Sequence, residues 1–165
     1  MTANVRPAMD IEVPVLETER LRLRGHRVED FAHSAAMWAD PVVIRHTVGK
    51  PLSEEECWTR FLRYVGHWAL LGFGYWVAEE KATGSESGWV LASHAHGKGY
   101  ATEAVRAVVA WGDARFSSHR TACIIAPENV ASIRVAEKCG YREFARTTYK
   151  GHAVVMFERE AGTAW

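Results

Sequence analysis

Two glycines in a turn are the residues of this chain best placed to do chemistry, because such a turn could hold a phosphate group. Gly97 and Gly99 follow a short apolar run at residues 89–92, which predicts a strand, and a helical stretch begins at about Ala101. Amide N–H groups at the start of a helix have no partner within it, and the helix dipole favours an anion there. Glycine lets the backbone curl around that anion. The spacing predicts either an anion-binding turn over residues 97–102 or an ordinary glycine loop.

The turn matches neither of two common phosphate-binding motifs. A P-loop needs Gly-Lys-Ser/Thr after a four-residue gap, and a dinucleotide fingerprint would place a third glycine at Thr102. Residues 97–104, Gly-Lys-Gly-Tyr-Ala-Thr-Glu-Ala, instead resemble the pyrophosphate loop of the GNAT N-acetyltransferases, especially the RimJ/RimL-type branch that acetylates ribosomal-protein N-termini. His96 replaces the Trp that precedes this string in the branch, and His94 stands where the family has Gln or Arg.

Two more segments, in the expected order, strengthen this resemblance. Residues 16–24 look like the opening strand of the family, and residues 129–141 are similar to its second acetyl-CoA motif. Between them, four residues fall where that branch usually has them: Asp30, Trp38, Asp40 and Pro41. The resemblance covers residues 16–159. It implies an α/β protein with the GNAT acyl-CoA N-acyltransferase fold, a mixed and mostly antiparallel sheet with helices on both faces.

The resemblance implies that acetyl-CoA is the co-substrate and that the acetyl group moves directly to a primary amine in a ternary complex. The pantetheine arm would pair with the strand backbone at Val90–Ala92, and the pyrophosphate would lie on the N–H groups of the turn. Asn129 would bind the pantetheine amide, or it would serve only as a helix N-cap. The implied cofactor-binding residues are Val90, Leu91, Ala92, His96, Gly97, Lys98, Gly99, Tyr100, Ala101, Thr102, Asn129 and Ser132.

Acetyl transfer also needs an acid for the leaving thiolate and a base for the amine. In this branch Ser132 would lie near the thioester sulfur, whereas the tyrosine that many other GNAT enzymes use is replaced here by Ala136. Glu86 is the candidate base, although it could equally be an exposed loop carboxylate. His94 and His96 are further candidates, because histidine titrates near neutral pH. No third ligand of matching spacing accompanies these two histidines, so no metal is predicted.

Two other functions stay open from the sequence. Without the tyrosine, the chain could be a non-catalytic sensor or scaffold that binds acetyl-CoA. It could also be an unrelated phosphate binder, which would bind nucleotides in general. The acceptor, if there is one, could be a protein N-terminus or a small amine.

Composition narrows the class of protein. A chain of 165 residues predicts one domain at 16–165 behind a loose tail at 1–15. Lys+Arg and Asp+Glu are equal at 20 each, so no nucleic-acid or membrane partner is predicted. The three cysteines are odd in number and include no CxxC pair, which argues against a disulfide scaffold and predicts a cytoplasmic protein. Separately, the protein is expected to be a monomer or a homodimer.

Local patterns predict the elements that must position these residues. They are strands at 20–24, 73–79, 89–92 and 121–125, helices at 28–38, from 53, at 102–115 and at 129–138, and a closing hairpin of 141–146 with 152–158. One strand that the family places between 79 and 89 has no counterpart, at a junction near Gly84 and Ser85. Either the chain lacks it or residues are left out there. A true deletion would leave a gap in the sheet or reverse one strand.

Overall fold

The computed structural model describes residues 11–82, 86–88, 91–116 and 120–165, with only the backbone described at 86–88. The helices are α1 (Phe31–Ala39), α2 (Pro41–Ile44), α3 (Glu54–Leu71), α4 (Tyr100–Phe116) and α5 (Val130–Lys138). The strands are β1 (Leu16–Glu17), β2 (Leu21–Arg24), β3 (Val77–Glu80), β4 (Glu86–Gly88), β5 (Arg120–Ile125), β6 (Arg142–Tyr149) and β7 (His152–Glu160). Short 3₁₀ turns at Val28–Asp30 and Ser93–Ala95 complete the set.

The described strands form two antiparallel sheets. The first has the order β1-β2-β3-β4 and the second the order β5-β7-β6. Helix α4 packs between them, because Tyr100 and Ala104 belong to the core of the first sheet while Val105 and Val109 belong to that of the second. The predicted α/β architecture, mostly antiparallel, is therefore present.

Helix boundaries follow the local signals of the sequence. At the start of α3 the Ser53 hydroxyl accepts from the Glu56 N–H at 3.2 Å, and the Glu56 carboxylate accepts from the Ser53 N–H at 2.8 Å. Asn129 caps α5 by accepting from the Ser132 N–H at 3.1 Å. The predicted closing hairpin is also present, with β6 and β7 joined at Lys150 and Gly151.

The strand predicted at 73–79 begins later, at Val77. Residues 73–76 are held against α3 instead, because the Trp68 indole donates to the Tyr75 carbonyl at 2.8 Å. Gly74 lies so close to this helix that a Cβ there would stand 2.9 Å from the His67 side chain. Close packing on α3 therefore replaces a strand ladder over these four residues.

The described part of the strand predicted at 89–92 does not form a strand. Trp89 and Val90 lie outside the described residues, and Leu91 and Ala92 are not in a strand. Strand β4, just before them, pairs antiparallel with β3, with Val77 opposite Gly88. The two segments flanking the missing family strand thus meet directly across residues 83–85, which lie outside the description. Among the described strands, β4 is the direct neighbour of β3 at the edge of the first sheet, and the second sheet is separate.

Residues 11–15 already pack on the domain. Ile11 and Val13 pack partly against the first core, and Trp76 donates to the Pro14 carbonyl at 2.8 Å. All three cysteines are free. Within the part of the chain that the structure describes, no helix has both the length and the apolar character needed to cross a membrane.

Candidate active site

The glycine turn has the backbone geometry that the sequence predicts for anion binding. Gly97 and Gly99 adopt φ of +75° and +82°, the left-handed region that favours glycine. Among the described residues, none accepts a hydrogen bond from the N–H groups of 97–102. The first turn of α4 follows at once, so these N–H groups lie at its positive end. The turn is able to receive a phosphate oxygen through its backbone.

Arg20 and Glu103 fix this turn to the loop before β2. Arg20 donates to the Lys98 carbonyl at 2.8 Å and to the Glu103 carboxylate at 2.7 Å. The same carboxylate accepts from the Thr18 hydroxyl at 2.6 Å. Burial raises the pKa of Glu103, but the hydrogen bonds from Thr18 and Arg20 outweigh it and hold that pKa below its usual range. The sequence placed Arg20 only at the start of a predicted strand, and gave no sign of its role at the turn.

In the segment before the turn, the backbone carbonyl groups are hydrogen-bonded within the segment itself. The Leu91 carbonyl pairs with the His96 ring at 2.8 Å, and the Ala92 carbonyl accepts from the Ala95 N–H at 2.9 Å. Leu91 is buried against the first core. Pairing of a pantetheine arm at Leu91 and Ala92 would therefore fall to their N–H groups.

A pocket of about 330 Å³ lies beside this segment, between α1, α3 and β3. Its wall includes Trp38, Asp40, Arg60, Tyr64, Tyr75 and His94. Its volume falls in the range of small-molecule sites, which are mostly apolar with a few placed polar groups. Of the three tryptophans of the first helices, only Trp38 lines it; Trp58 stacks on Phe61, and Trp68 is in the core.

Two titratable groups of the pocket have shifted pKa values. A hydrogen bond from Ser93 holds the pKa of Asp40 below its usual range, with a second contribution from the Val42 N–H, so Asp40 is a carboxylate at neutral pH. Burial lowers the pKa of His26 to about 4, so its ring is neutral at pH 7. The sequence indicated neither role: Asp40 stood out only as a family marker, and His26 carried no signal.

Comparison with known proteins decides the family. Residues 20–142 match the family described as the acetyltransferase (GNAT) domain. The chain belongs to the GNAT acetyltransferase family. Like other GNAT acetyltransferases, it is an acetyl-CoA-dependent acyltransferase.

Similar proteins cover nearly the whole of this GNAT chain. The protein YkkB of Bacillus subtilis (strain 168) is 30% identical in an alignment over 169 residues. That alignment covers 88% of this chain and 95% of YkkB. An acetyltransferase structure from Agrobacterium tumefaciens str. C58 superposes with a TM-score of 0.80 at 24% identity, over 93% of this chain and 98% of that one. RimL, a ribosomal L7/L12 α-N-protein acetyltransferase solved with coenzyme A, superposes with a TM-score of 0.72 at 14% identity, over 92% and 100%.

The residues that the sequence proposed for catalysis lie in different places in this GNAT structure. Ser132 is half-buried in the first turn of α5, where its N–H is tied to Asn129, and it does not line the described wall of the pocket. Glu86 begins β4 opposite Glu79, and its side chain is outside the description. His94 lines the pocket, whereas the ring of its neighbour His96 turns to the Leu91 carbonyl.

Across the side chains described at residues 11–82, 91–116 and 120–165, no three His, Cys, Asp or Glu groups come together closely enough to hold a metal ion.

Proposed function

We propose that this chain transfers the acetyl group of acetyl-CoA to a primary amine held in the pocket, directly and within a ternary complex. One observation carries the proposal. Ser93 and His94, at the wall of the pocket, stand only four and three residues before Gly97, where the open glycine turn at 97–99 begins. A cofactor anchored on the turn would therefore present its other end beside the pocket. Holding both substrates in register supplies most of the rate in such a reaction.

The reaction balances without any further reagent. The lone pair of a neutral amine attacks the thioester carbonyl carbon, the carbon–sulfur bond breaks, and a carbon–nitrogen bond remains. The nitrogen loses one proton and the coenzyme A thiolate takes up one, so the protons balance. Protein groups need only accept the first proton, steady the developing oxyanion and supply the second.

We assign these roles as follows. Ser132 is proposed as the acid near the sulfur. His94 becomes the better candidate base, because it is exposed at the pocket wall, while His96 is engaged elsewhere. Glu86 remains a second candidate base, from its place in β4 beside β3. Asn129 and the residues at 90–92 and 96–102 are proposed to hold acetyl-CoA, with Lys98 adding an exposed positive charge.

A non-catalytic acetyl-CoA sensor or scaffold was the other function left open by the sequence, and membership of the acetyltransferase family argues against it. Release of coenzyme A that depends on an added amine separates the two, since a sensor would bind without turnover. The protein would act in the cytoplasm, as a monomer or a homodimer, on a protein N-terminus or a small amine.

The first test is calorimetric titration of the purified protein with acetyl-CoA and, separately, with ATP. We expect a Kd for acetyl-CoA on the order of micromolar, within the usual range for enzyme substrates, and weak ATP binding. In Gly99→Val, the φ of +82° becomes strained and the new side chain meets Arg20, whose guanidinium already stands 3.4 Å from the position of a Cβ. Acetyl-CoA binding should then be lost.

Gly151→Val is the matched control for this experiment. Gly151 has the same φ of +82° but no neighbour within 4 Å of its Cβ position, and it lies in the β6–β7 turn. Its valine variant should suffer similar backbone strain while keeping acetyl-CoA binding. Equal loss in both variants, or no binding by the well-folded wild type, would remove the turn from the cofactor site.

A further inference from the structure

Two arginines of α3 line the pocket without an acidic partner. The guanidinium carbon of Arg60 lies 4.3 Å from the centroid of the Trp38 ring, and that of Arg63 lies 5.9 Å from the Tyr64 ring. Within the described residues, neither arginine comes within 4.0 Å of a carboxylate oxygen. The Arg60 group also hydrogen-bonds the Tyr64 side chain. A guanidinium group held over an aromatic face keeps further N–H groups available to a planar anion.

The same pocket holds one carboxylate that no described cation neutralises. Asp40 accepts from the Val42 N–H at 2.8 Å and is hydrogen-bonded to Ser93, and it forms no ion pair with either arginine. Asp30 also lines the pocket, but Arg24 grips its two oxygens at 2.8 and 3.0 Å. The wall of the pocket therefore offers separate positive and negative groups at once.

Two buried polar atoms of the pocket have no hydrogen-bond partner among the residues that the structure describes. They are the indole nitrogen of Trp38, a residue only 2% exposed, and the Nδ1 atom of His26. Buried polar atoms are nearly always paired in folded proteins. The unpaired indole N–H is a donor, and the imidazole supplies a second polar atom. The pocket wall is therefore polar as well as aromatic at these two residues, although both atoms are shielded from the cavity itself.

We propose that the acceptor is a zwitterion, a free α-amino acid, whose carboxylate binds between Arg60 and Arg63 and whose amino group lies toward Asp40 and His94. This inference rests on the proposed acetyl transfer and specifies its substrate class. Charge-assisted, bidentate hydrogen bonds from arginine are the contacts best suited to a carboxylate. The same arginines would repel a polyamine, which carries positive charge along its length. The cavity of about 330 Å³ suits a molecule of amino-acid size.

The test is calorimetric binding to the protein loaded with coenzyme A, which mimics the ternary complex without turnover. The probes are the twenty free amino acids, the α-carboxamide of each, and spermidine. We expect at least one amino acid to bind roughly tenfold or more tightly than its carboxamide, because the amide lacks the charge. Arg60→Gln should remove this preference and leave coenzyme A binding unchanged. Arg142→Gln, an exposed arginine of β6, should change neither.

Equal binding of acids and carboxamides would overturn the proposal, as would tighter binding of spermidine or failure of every amino acid to bind. Acetylation of the same probes is measured separately, by release of coenzyme A from acetyl-CoA. If carboxamides react as fast as acids, the acetyltransferase function stands and the zwitterionic substrate is excluded. If nothing reacts, transfer to free amino acids, to their carboxamides and to spermidine is excluded, and the binding comparison still decides whether the pocket selects a zwitterion.

Discussion

His26 packs among aromatic rings at the edge of the pocket. Its ring centroid lies 5.4 Å from that of Phe61 and 5.0 Å from that of Tyr64, and the ring also bonds to the backbone of Tyr75. Burial lowers the pKa of His26 from 6.5 to about 4, against the opposing effect of Asp30. The side chain is thus held neutral by its surroundings, and folding must work against its protonation in acid.

This shift predicts how stability depends on pH. The unfolded chain takes up a proton at His26 as the pH falls through 6.5, whereas the folded protein resists until the pKa of about 4 is reached. Stability from this residue is therefore present above pH 6.5 and is lost as the pH falls below it. Between pH 7 and pH 5 the loss should be about 2 kcal/mol.

Urea unfolding at the two pH values measures this loss. In His26→Gln, which cannot titrate, the fall in unfolding free energy between pH 7 and pH 5 should be smaller by that amount. His152→Gln, at an exposed position of β7, should behave like the wild type. An unchanged pH dependence in His26→Gln would show that the ring is protonated in the folded protein.

At the scale of elements, Arg24 joins two strands and the first helical turn. From β2 it grips Asp30 at 2.8 Å and reaches Glu79 of β3 at 2.9 Å. Arg24 and Asp30 are only 5% and 4% exposed. Arg24→Met would remove the guanidinium that neutralises the buried Asp30 carboxylate, and removal of one partner of a buried ion pair typically costs about 3–5 kcal/mol. Chemical denaturation should show this loss.

Arg22 offers the comparison on the same strand. It is exposed and pairs loosely with Glu17 at 3.4 Å. Arg22→Met should change stability by no more than about 0.5 kcal/mol, because exposed ion pairs contribute little. Similar losses in the two variants would mean that burial of the Arg24 cluster has no special effect on stability.

The sequence predicted those elements whose signals are local. The capping box at Ser53, the cap at Asn129 and the turn at Gly151 each act within a few residues, so their patterns can be read directly. Spacing alone also located the glycine turn. Its role in binding stays a prediction, because no ligand contact tests it.

Elements that depend on distant partners were harder to predict. The sequence pattern at residues 73–76 is typical of a strand. In the folded chain, however, the Trp68 indole of α3 donates a hydrogen bond to the Tyr75 carbonyl, a contact that the pattern does not reveal. The strand predicted at 89–92 needed a partner from elsewhere in the sheet, and in the structure the segment just before it, β4, pairs with β3. Arg60 and Arg63 gave no signal at all, because the polar face of a helix reads the same whether it meets water or a pocket.

For the whole molecule, α4 is the element common to both halves. Tyr100, Ala104 and Trp111 pack with the first core, while Val105 and Val109 pack with the second. In the described chain, no strand pair joins the two sheets. Their association therefore relies on the apolar faces of one helix, and that helix begins at the proposed cofactor turn.

This shared helix should make the protein respond to its cofactor as a single cooperative unit. Acetyl-CoA at a concentration of 100 times its Kd should stabilise the folded state by about 2.7 kcal/mol. In native-state hydrogen exchange, the slowest amides of β2–β3 and of β5–β7 should then slow together, by about a hundredfold, although none of these strands is among the segments proposed to hold the ligand. Gly99→Val should show no such response. Protection confined to the first sheet would show that the two sheets unfold as separate units. In that case α4 would stay packed on the first sheet when the second unfolds.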